Sequence, residues 1–337
     1  MSTHREHGQH QHGQHQQSQH QHGQHDDGRH RHGAPAQGNG HGHDHGRTEI
    51  DWEVMAAHLE RNAELQLPAL RRAAARLRDR LGPDREVRRI LDIGSGPGVM
   101  TCVLAETFPG AEAVAVDGAP GLLDRALARA ERLGLTGRVA VRHAELPAGL
   151  AAADVDADGP GTADLLWSSR AVHHLGDQQG ALGALTELLR PGGLLAVAEG
   201  GLPMRYLPRD IGIGRPGLQA RLDAAQEHWY DRMRAELPGS VAVVEDWPAM
   251  LRNAGLADVG SFTTLVDLPA PLDGPAREFL LSHLTRLRGA ADDLLDAEDL
   301  GTLDLLIDPA APEGVLLRPD AFLLSAVTVF TGVRPSG

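Results

Sequence analysis

The stretch that decides the fold is Arg88–Met100, which reads RRILDIGSGPGVM. It begins with a short apolar run, continues into three glycines at alternate positions, and is followed by apolar residues at helical spacing. This pattern predicts a β-strand, a glycine turn and an α-helix. Because glycine has no Cβ, such a turn lets a ligand lie against bare backbone at the carboxyl end of the strand. The three glycines are Gly94, Gly96 and Gly98.

A second apolar strand, Ala113–Val116, is predicted to end in Asp117. This acid follows Gly98 by about nineteen residues, the spacing expected of a carboxylate that binds ribose hydroxyls. The turn and the acid together predict a nucleoside site. The alternative is a glycine turn with only a structural role.

Two residues argue against a dinucleotide as the ligand. Val99 stands where the dinucleotide fingerprint has its third glycine, which lets the helix pack tightly on the strand. Asp92 lies two residues before the first glycine, where its carboxylate would repel a pyrophosphate. A carboxylate suits a ligand that carries an amino group and a sulfonium cation. A nicotinamide-dependent oxidoreductase is kept as an alternative.

The order Asp-x-Gly-x-Gly-x-Gly, followed by the strand that ends in Asp117, resembles motifs I and II of class I S-adenosylmethionine-dependent methyltransferases. The sequence WSSRAVHHL at Trp167–Leu175 resembles motif IV of the small-molecule members, and the RPGG turn at Arg190–Gly193 matches the same family. The resemblance implies a doubly wound, mostly parallel α/β sheet of seven strands, with an antiparallel last strand and helical cap insertions. It also implies S-adenosyl-L-methionine as cofactor and in-line transfer of its methyl group to a small-molecule acceptor.

The resemblance further implies roles for individual residues at the ends of the first four strands, where the family binds its cofactor. These cofactor-binding residues are Asp92, Gly94, Ser95, Gly96, Gly98, Asp117, Gly118, His143, Ala144, Glu145, Ser168 and Ser169. His143 stands where the family usually has an acid. The imidazole of His143 or the backbone amide of Ala144 is therefore expected to meet the adenine edge.

His173 and His174 follow the fourth strand, where the loop is expected to open toward the acceptor. They are the candidate catalytic residues, because an imidazole can take a proton from an acceptor near neutral pH. The alternative is that they cap or pack the next helix, for which Asp177 is the predicted N-cap. Glu199 is predicted to end a fifth strand, Leu194–Ala198, where it faces either the acceptor or solvent.

The chain is predicted to have four parts with different roles. Residues 1–46 form a disordered His-rich tail, and residues 47–84 form helices that cover the cofactor site. Residues 85–200 form the cofactor-binding core, and residues 201–337 combine cap insertions with the last strands of the sheet. The cap is expected to lie over the acceptor site.

The tail holds 13 of the 19 histidines, separated mainly by glutamine and glycine. Such a composition has almost nothing to bury. Clustered imidazoles bind divalent metals readily, and the candidate ligands are His41, His43 and His45. A metal-handling or metal-sensing protein is therefore another alternative function, while a solvated tail without a metal role is the preferred interpretation. No metal site is expected in the core.

Charge and composition limit the partners that we expect. The 337 residues carry a formal charge of −14 and include no lysine, which disfavours a nucleic-acid partner because phosphate binding needs clustered cations. The N-terminus lacks the apolar segment of a secretory leader, and no apolar run reaches the length of a bilayer, so we expect a cytoplasmic protein without a membrane partner. Cys102 is predicted to be a core residue. A methyltransferase that acts on a protein stays open as a further alternative.

Overall fold

The computed structural model describes residues 52–82, 84–146, 149 and 163–336 of the chain. Within this part, seven strands form one sheet. The strands are β1 (Arg89–Ile93), β2 (Glu112–Asp117), β3 (Val139–His143), β4 (Ala163–Ser169), β5 (Leu189–Arg205), β6 (Ala257–Leu268) and β7 (Leu323–Val333). The α-helices are α1 (Trp52–Leu65), α2 (Leu67–Leu81), α3 (Val99–Thr107), α4 (Pro120–Arg132), α5 (Gln178–Leu188), α6 (Leu218–Glu236), α7 (Trp247–Asn253), α8 (Gly274–Ala290) and α9 (Ala297–Ile307).

The strands follow the order β3-β2-β1-β4-β5-β7-β6 across the sheet. Neighbouring strands from β3 to β5 pair in parallel, whereas β7 lies between β5 and β6 and pairs antiparallel with both. This topology confirms the predicted fold class, including the antiparallel last strand. The strand order reverses between β1 and β4, and the crevice at the carboxyl ends of such a pair is where open α/β sheets bind ligands.

The parallel strands are buried on both faces of the sheet. Successive side chains of a strand point to opposite faces, and Ile90 and Leu91, both 0% exposed, belong to two different apolar clusters. Leu194 and Leu195 of β5 likewise belong to the two different clusters. Helices α2 and α3 cover one face, and α5 and α7 cover the other. Burial on both faces explains why β1 and β4 read as nearly continuous apolar runs.

β5 extends beyond the predicted strand Leu194–Ala198 at both ends and includes the predicted RPGG turn. The predicted strand end at Glu199 is therefore wrong, because antiparallel pairing with β7 continues the ladder past the parallel part of the sheet. At Gly201, a Cβ atom would lie 2.1 Å from the carbonyl oxygen of Ala326, so only glycine lets the two strands approach this closely. This extension places Glu199 inside the sheet rather than at its edge.

A third apolar cluster lies in residues 201–337, for which cap insertions are predicted. It combines α6, α8 and α9 with the segment that follows β5, and includes the buried side chains of Tyr206, Leu222 and Leu303. Helix α1 packs against α8 through the ring of His58, whose centroid lies 5.2 Å from that of Phe279. The N-terminal helix is thus tied to this cluster as well as to α3 and α4.

Short-range signals predict several helix ends correctly. The side chain of Asp177 caps α5, since its Oδ1 accepts a hydrogen bond from the Gly180 N–H at 2.8 Å, which confirms the predicted N-cap. Pro68 lies in the first turn of α2, where its missing N–H leaves no helical hydrogen bond unmade. The break between α1 and α2 falls at Gln66.

Some predictions fall outside the part of the chain that the structure describes. These are the disorder of the tail, residues 1–46, and the metal ligands His41, His43 and His45. Among the described residues, no group of three or more His, Cys, Asp or Glu side chains is arranged to hold a metal ion. None of the helices in that same part is long and apolar enough to cross a membrane. Cys102 is a free thiol, 1% exposed, and belongs to the core.

Candidate active site

The glycine turn after β1 is held by the neighbouring strand. The backbone N–H groups of Gly94 and Ser95 donate to the carbonyl oxygen of Val116 at 2.9 and 3.0 Å. Gly94 has a left-handed φ of 70°, and a Cβ atom there would lie 2.5 Å from the Cβ of Ala171. Glycine is required at this position by both the backbone conformation and the space. The turn therefore presents open backbone at the carboxyl edge of the sheet.

Asp117 ties the end of β2 to this turn. One carboxylate oxygen accepts from the Gly96 N–H at 2.9 Å, and the other accepts from the Ala119 N–H at 2.9 Å. The carboxylate lies beside the cleft described below, at the start of α4. Its position fits the predicted ribose contact, and the two hydrogen bonds give it a second role in shaping the glycine turn.

Asp92 is a buried acid at the base of the cleft. Its side chain accepts a hydrogen bond from the Thr101 hydroxyl at 2.5 Å, and the residue is only 2% exposed. Burial raises the pKa of Asp92 to about 7, the nearby charge of Asp117 adds to this rise, and the hydrogen bond from Thr101 opposes it. A ligand cation near this carboxyl would favour its ionised form.

An open cleft of about 470 Å³ lies over the carboxyl ends of β1, β2 and β4. A second chamber of about 520 Å³, beside Pro120 and Arg125, shares the wall residues Asp117, Gly118 and Glu145 with it. The two chambers therefore lie next to each other along the edge of the sheet. A volume of this size matches that of typical small-ligand sites.

Helix α1 supplies one wall of the cleft, and sequence reasoning did not identify its residues. The helical residues are Leu59, Asn62 and Ala63, and Gln66 at the break before α2 extends the same wall. Leu59, Asn62 and Ala63 follow the spacing i, i+3 and i+4, which places them on one face of the helix. That periodicity is visible in the sequence, but it does not tell whether such a face meets a ligand or a protein core.

Most of the predicted site residues line the cleft. These are Asp92, Gly94, Ser95, Gly96, Asp117, Gly118, Glu145, Ser169 and His174. The structure thus brings together residues from the ends of β1, β2, β3 and β4. Their convergence follows from the parallel strand order, which places all four carboxyl ends at the same edge.

The other predicted site residues lie next to the cleft rather than on its surface. Gly98 faces α4, and a Cβ atom there would lie 2.4 Å from the Cβ of Ala126. Ser168 is 0% exposed and Ala144 is 5% exposed, so both side chains belong to the interior. The imidazole of His143 lies 3.0 Å from the carbonyl oxygen of Gly118 and braces that segment.

His173 forms a hydrogen-bonded pair with Glu199. The distance from His173 Nδ1 to Glu199 Oε2 is 2.8 Å, and Glu199 Oε1 accepts from the Val172 N–H at 3.1 Å. Glu199 is 4% exposed, so the alternative of a solvated strand-end acid is wrong. The ring of Tyr230 lies 5.8 Å from the ring of His173, on the side of α6. His173 itself keeps 18% of its side chain exposed.

His174 lines the cleft, and its ring centroid lies 4.1 Å from that of His173. Desolvation by the surrounding walls, together with the nearby His173 and Arg234, lowers the pKa of His174 to about 4. His174 is therefore neutral at physiological pH and a weak base. Arg234 also holds the turn in place, since its guanidinium donates to the carbonyl oxygens of His173 and Leu175 at 2.8 and 2.6 Å.

Comparisons with known proteins agree on one family. A family model described as a methyltransferase domain matches residues 91–195. Trans-aconitate 2-methyltransferase of Methylobacterium radiotolerans is 31% identical over 237 residues, which cover 64% of this chain and 82% of that protein. The 27-O-demethylrifamycin SV methyltransferase of Amycolatopsis mediterranei is 30% identical over 207 residues, which cover 58% of this chain and 66% of that protein. A solved structure of phosphoethanolamine N-methyltransferase 2 of Haemonchus contortus with S-adenosylmethionine shows 18% identity and a TM-score of 0.42, over 79% of this chain and 53% of that one.

The chain belongs to the class I S-adenosylmethionine-dependent methyltransferases. It is therefore an enzyme whose cofactor is S-adenosylmethionine, and the residues present fit this group. The glycine turn is open toward the cleft at Gly96, where a Cβ would meet nothing within 4 Å, and Asp92 is a buried acid without a basic partner among the described residues. Neither the oxidoreductase nor the metal-handling alternative finds support in the comparisons.

Proposed function

We propose that this enzyme transfers a methyl group to a hydroxyl oxygen of a small molecule, with His173 as the base that takes the hydroxyl proton. The observation that carries this proposal is the 2.8 Å hydrogen bond between His173 Nδ1 and Glu199. A carboxylate only accepts hydrogen bonds, so the neutral ring holds its proton on Nδ1 and keeps the lone pair of Nε2 for the acceptor. A hydroxyl needs such a base, whereas a stronger nucleophile does not.

The surroundings of the pair support this assignment. Glu199 uses both carboxylate oxygens, one on His173 and one on the Val172 N–H, so the orientation of the imidazole is fixed. The carbonyl oxygen of His173 accepts from Arg234, which fixes the backbone from the opposite side. His174 lacks a carboxylate partner among the described residues, and its pKa of about 4 makes it a weak base.

The cofactor-binding roles stay as proposed from the sequence. Asp92 and the glycine turn would hold the methionine end, Asp117 the ribose, and the segment from His143 to Glu145 the adenine region. When bound, the cofactor supplies an electrophilic methyl group on a sulfonium sulfur. The work left to the protein is to align the acceptor with that methyl group and to exclude water, for which the wall provided by α1 is suited.

The names of two relatives add support for the class of acceptor. One is named for trans-aconitate and the other for 27-O-demethylrifamycin SV, both small molecules. The second name specifies an oxygen as the methylated atom. An oxygen is therefore the methylated atom that we assign for this enzyme, and the acceptor itself is to be identified by experiment.

Methyl transfer from methyl-tritiated S-adenosylmethionine to a set of small hydroxyl compounds tests the proposal, with amines of matched size as the comparison. We expect transfer to hydroxyl compounds, and a loss of about 10²- to 10⁴-fold in kcat for His173→Gln at neutral pH. Glu199→Gln should lower kcat markedly as well, because an amide can also donate and no longer fixes the ring proton on Nδ1. His228→Gln is the matched control, because His228 is exposed on α6 and does not line the cleft, and it should retain full activity.

Two results would contradict this function. If the enzyme methylated amines only, no base would be required for the reaction. If His173→Gln kept full activity on a hydroxyl compound, His173 would not be the base. Calorimetric titration with S-adenosylhomocysteine tests the cofactor site separately, since Asp117→Ala should weaken that binding without touching His173. A defect in binding and a defect in proton transfer are then measured independently.

A further inference from the structure

Arg170 lines the cleft from the turn after β4. Its backbone has a left-handed φ of 51°, which residues other than glycine rarely adopt. The Arg170 N–H donates to the carbonyl oxygen of Ala198 at 3.1 Å, and the Cβ of the next residue, Ala171, occupies the space beside Gly94. The turn is therefore fixed on two sides, and strained backbone of this kind concentrates at ligand sites.

The guanidinium of Arg170 has neither a hydrogen bond nor an ion pair with any residue that the structure describes. Glu199 is close enough to act on it electrostatically. Both oxygens of Glu199 already accept hydrogen bonds, from the Val172 N–H and from His173. Within the described part of the chain, the charge of Arg170 thus lacks a direct acceptor.

Other arginines around the cleft differ from Arg170 in this respect. Arg125 pairs with Glu60 at 3.0 Å across the wall formed by α1 and α4. Arg234 donates to three backbone carbonyl oxygens of the turn that follows β4. These two side chains stabilise the walls, whereas Arg170 is exposed within the cleft and stabilises no described neighbour.

A guanidinium in this position suits an anionic ligand. Desolvation within the cleft lowers the pKa of Arg170, and the charge of Glu199 opposes that shift, but an arginine stays charged in either case. Its planar group offers donors in a fixed geometry that matches a carboxylate or a phosphate with two parallel hydrogen bonds. An anion bound there would supply the acceptor oxygens that the described residues do not.

We propose that Arg170 binds an anionic group of the acceptor, a carboxylate or a phosphate, and so selects hydroxyl acceptors that also carry a negative charge. This inference rests on the proposed function, because it takes as the acceptor site the part of the cleft lined by His174, whose ring lies next to that of His173. The same charge disfavours acceptors with an ammonium group. Recognition and proton transfer are thereby assigned to different residues of one turn.

Protection from phenylglyoxal, a reagent that modifies accessible guanidinium groups, tests this assignment. The full-length protein is saturated with S-adenosylhomocysteine, and modification of each arginine is followed by peptide mass spectrometry. The probes are benzoate, inorganic phosphate and the neutral benzamide, which matches benzoate in shape. At an anion concentration of roughly ten times the Kd of that anion, benzoate or phosphate should slow modification of Arg170 by about tenfold. The protection should saturate as the anion concentration rises. Benzamide should give no protection. The comparison of the two anions tells a carboxylate site from a phosphate site.

Arg286 is the internal reference in the same digest. Its guanidinium contacts the sulfur of Met55 at 3.1 Å and lies outside the cleft. The inference would be overturned by any of three results. Modification could be slowed equally at Arg170 and Arg286, benzamide could protect Arg170 as well as the anions do, or neither anion could slow modification of Arg170. Failure of the protein to bind S-adenosylhomocysteine in calorimetry would instead overturn the proposed function, so the two failures are distinguishable.

Discussion

At the scale of single residues, Asp92 shows how a buried acid can be matched to a charged ligand. It accepts one hydrogen bond from Thr101 and forms no ion pair with any described residue. Because burial raises its pKa to about 7, this carboxyl holds a proton near neutral pH far more readily than an exposed aspartate does. A cation bound beside it would shift that population toward the carboxylate.

We therefore expect S-adenosylmethionine binding at pH 7 to release protons from Asp92. Titration calorimetry in two buffers of different ionisation enthalpy measures this release directly. Asp92→Asn should bind the cofactor more weakly and without proton release, because an amide does not titrate.

Two comparisons control this experiment. S-adenosylhomocysteine lacks the sulfonium charge and should release fewer protons than S-adenosylmethionine. An unchanged release from Asp92→Asn would show that the proton comes from another group, which contradicts the role assigned to this carboxyl.

At the scale of elements, the start of α3 is set by its contact with α4. Gly98 has a left-handed φ of 70°, and a Cβ atom there would lie 2.4 Å from the Cβ of Ala126 and 3.0 Å from its Cα. Gly98 therefore lets two helices approach closely next to the glycine turn, while its own surface faces α4 rather than the cleft. This is a packing role, distinct from the ligand contact predicted for Gly98.

Gly98→Ala should destabilise the protein by roughly 2–4 kcal/mol, because the left-handed backbone and the clash with Ala126 both penalise a Cβ. The change in the free energy of unfolding is measured by urea titration. Adding Ala126→Gly to Gly98→Ala should remove the steric contribution to the loss of stability and leave the contribution of the strained backbone. The double variant should therefore be more stable than the sum of the two single effects predicts.

Gly110→Ala is the matched control for this pair. Gly110 lies in a turn without a left-handed φ, and a Cβ there would meet nothing within 4 Å. Its substitution should change the free energy of unfolding by less than about 0.5 kcal/mol. A large effect at Gly110, or simple additivity of Gly98→Ala and Ala126→Gly, would argue against the steric account.

At the scale of the whole molecule, two histidines hold the N-terminal helix against the cap. His58 Nδ1 lies 2.9 Å from the Ser282 hydroxyl, and the rings of His58 and His283 both stack on Phe279. Desolvation, together with the positive charge of Arg286, lowers the pKa of each histidine to about 4. This contact therefore requires neutral imidazoles.

The sign of the resulting pH dependence follows from proton binding. In the unfolded chain these histidines titrate near pH 6.5, so between pH 6.5 and about 4 the unfolded state binds more protons than the folded one. Their contribution to the free energy of unfolding is lost as pH falls through this window. Asp92 acts in the opposite direction, since its raised pKa makes its contribution fall as pH rises toward 7.

His283→Gln should make thermal stability less sensitive to acid between pH 6.5 and 4.5, because a titrating group with a depressed pKa is removed. The slope of Tm against pH is the relevant quantity, since the loss of ring stacking lowers Tm at every pH. His228→Gln is the control, because His228 is exposed on α6 and should leave the slope unchanged. An unaltered slope in His283→Gln would contradict this account.

The sequence by itself determined the parts of the molecule that depend on short-range pattern. The strand Arg89–Ile93, its glycine turn and the acid Asp117 were all predicted from spacing, and together they specify a doubly wound sheet with a ligand cleft at its carboxyl edge. Helix caps such as Asp177 were equally predictable, because a cap involves residues only three positions apart. These features are encoded locally, so a single sequence contains them.

Only the tertiary structure decided which side chains meet across the chain. The pair of His173 and Glu199 joins residues 26 positions apart, and Glu199 lies within β5 at the irregularity in its pairing with β7 between Ala198 and Gly201. Likewise, the side chain of Ser168 points into the interior and that of Ser169 into the cleft, because adjacent residues of a strand face opposite sides. Strand register and cap packing are properties of the whole fold, which the local pattern around a residue does not specify.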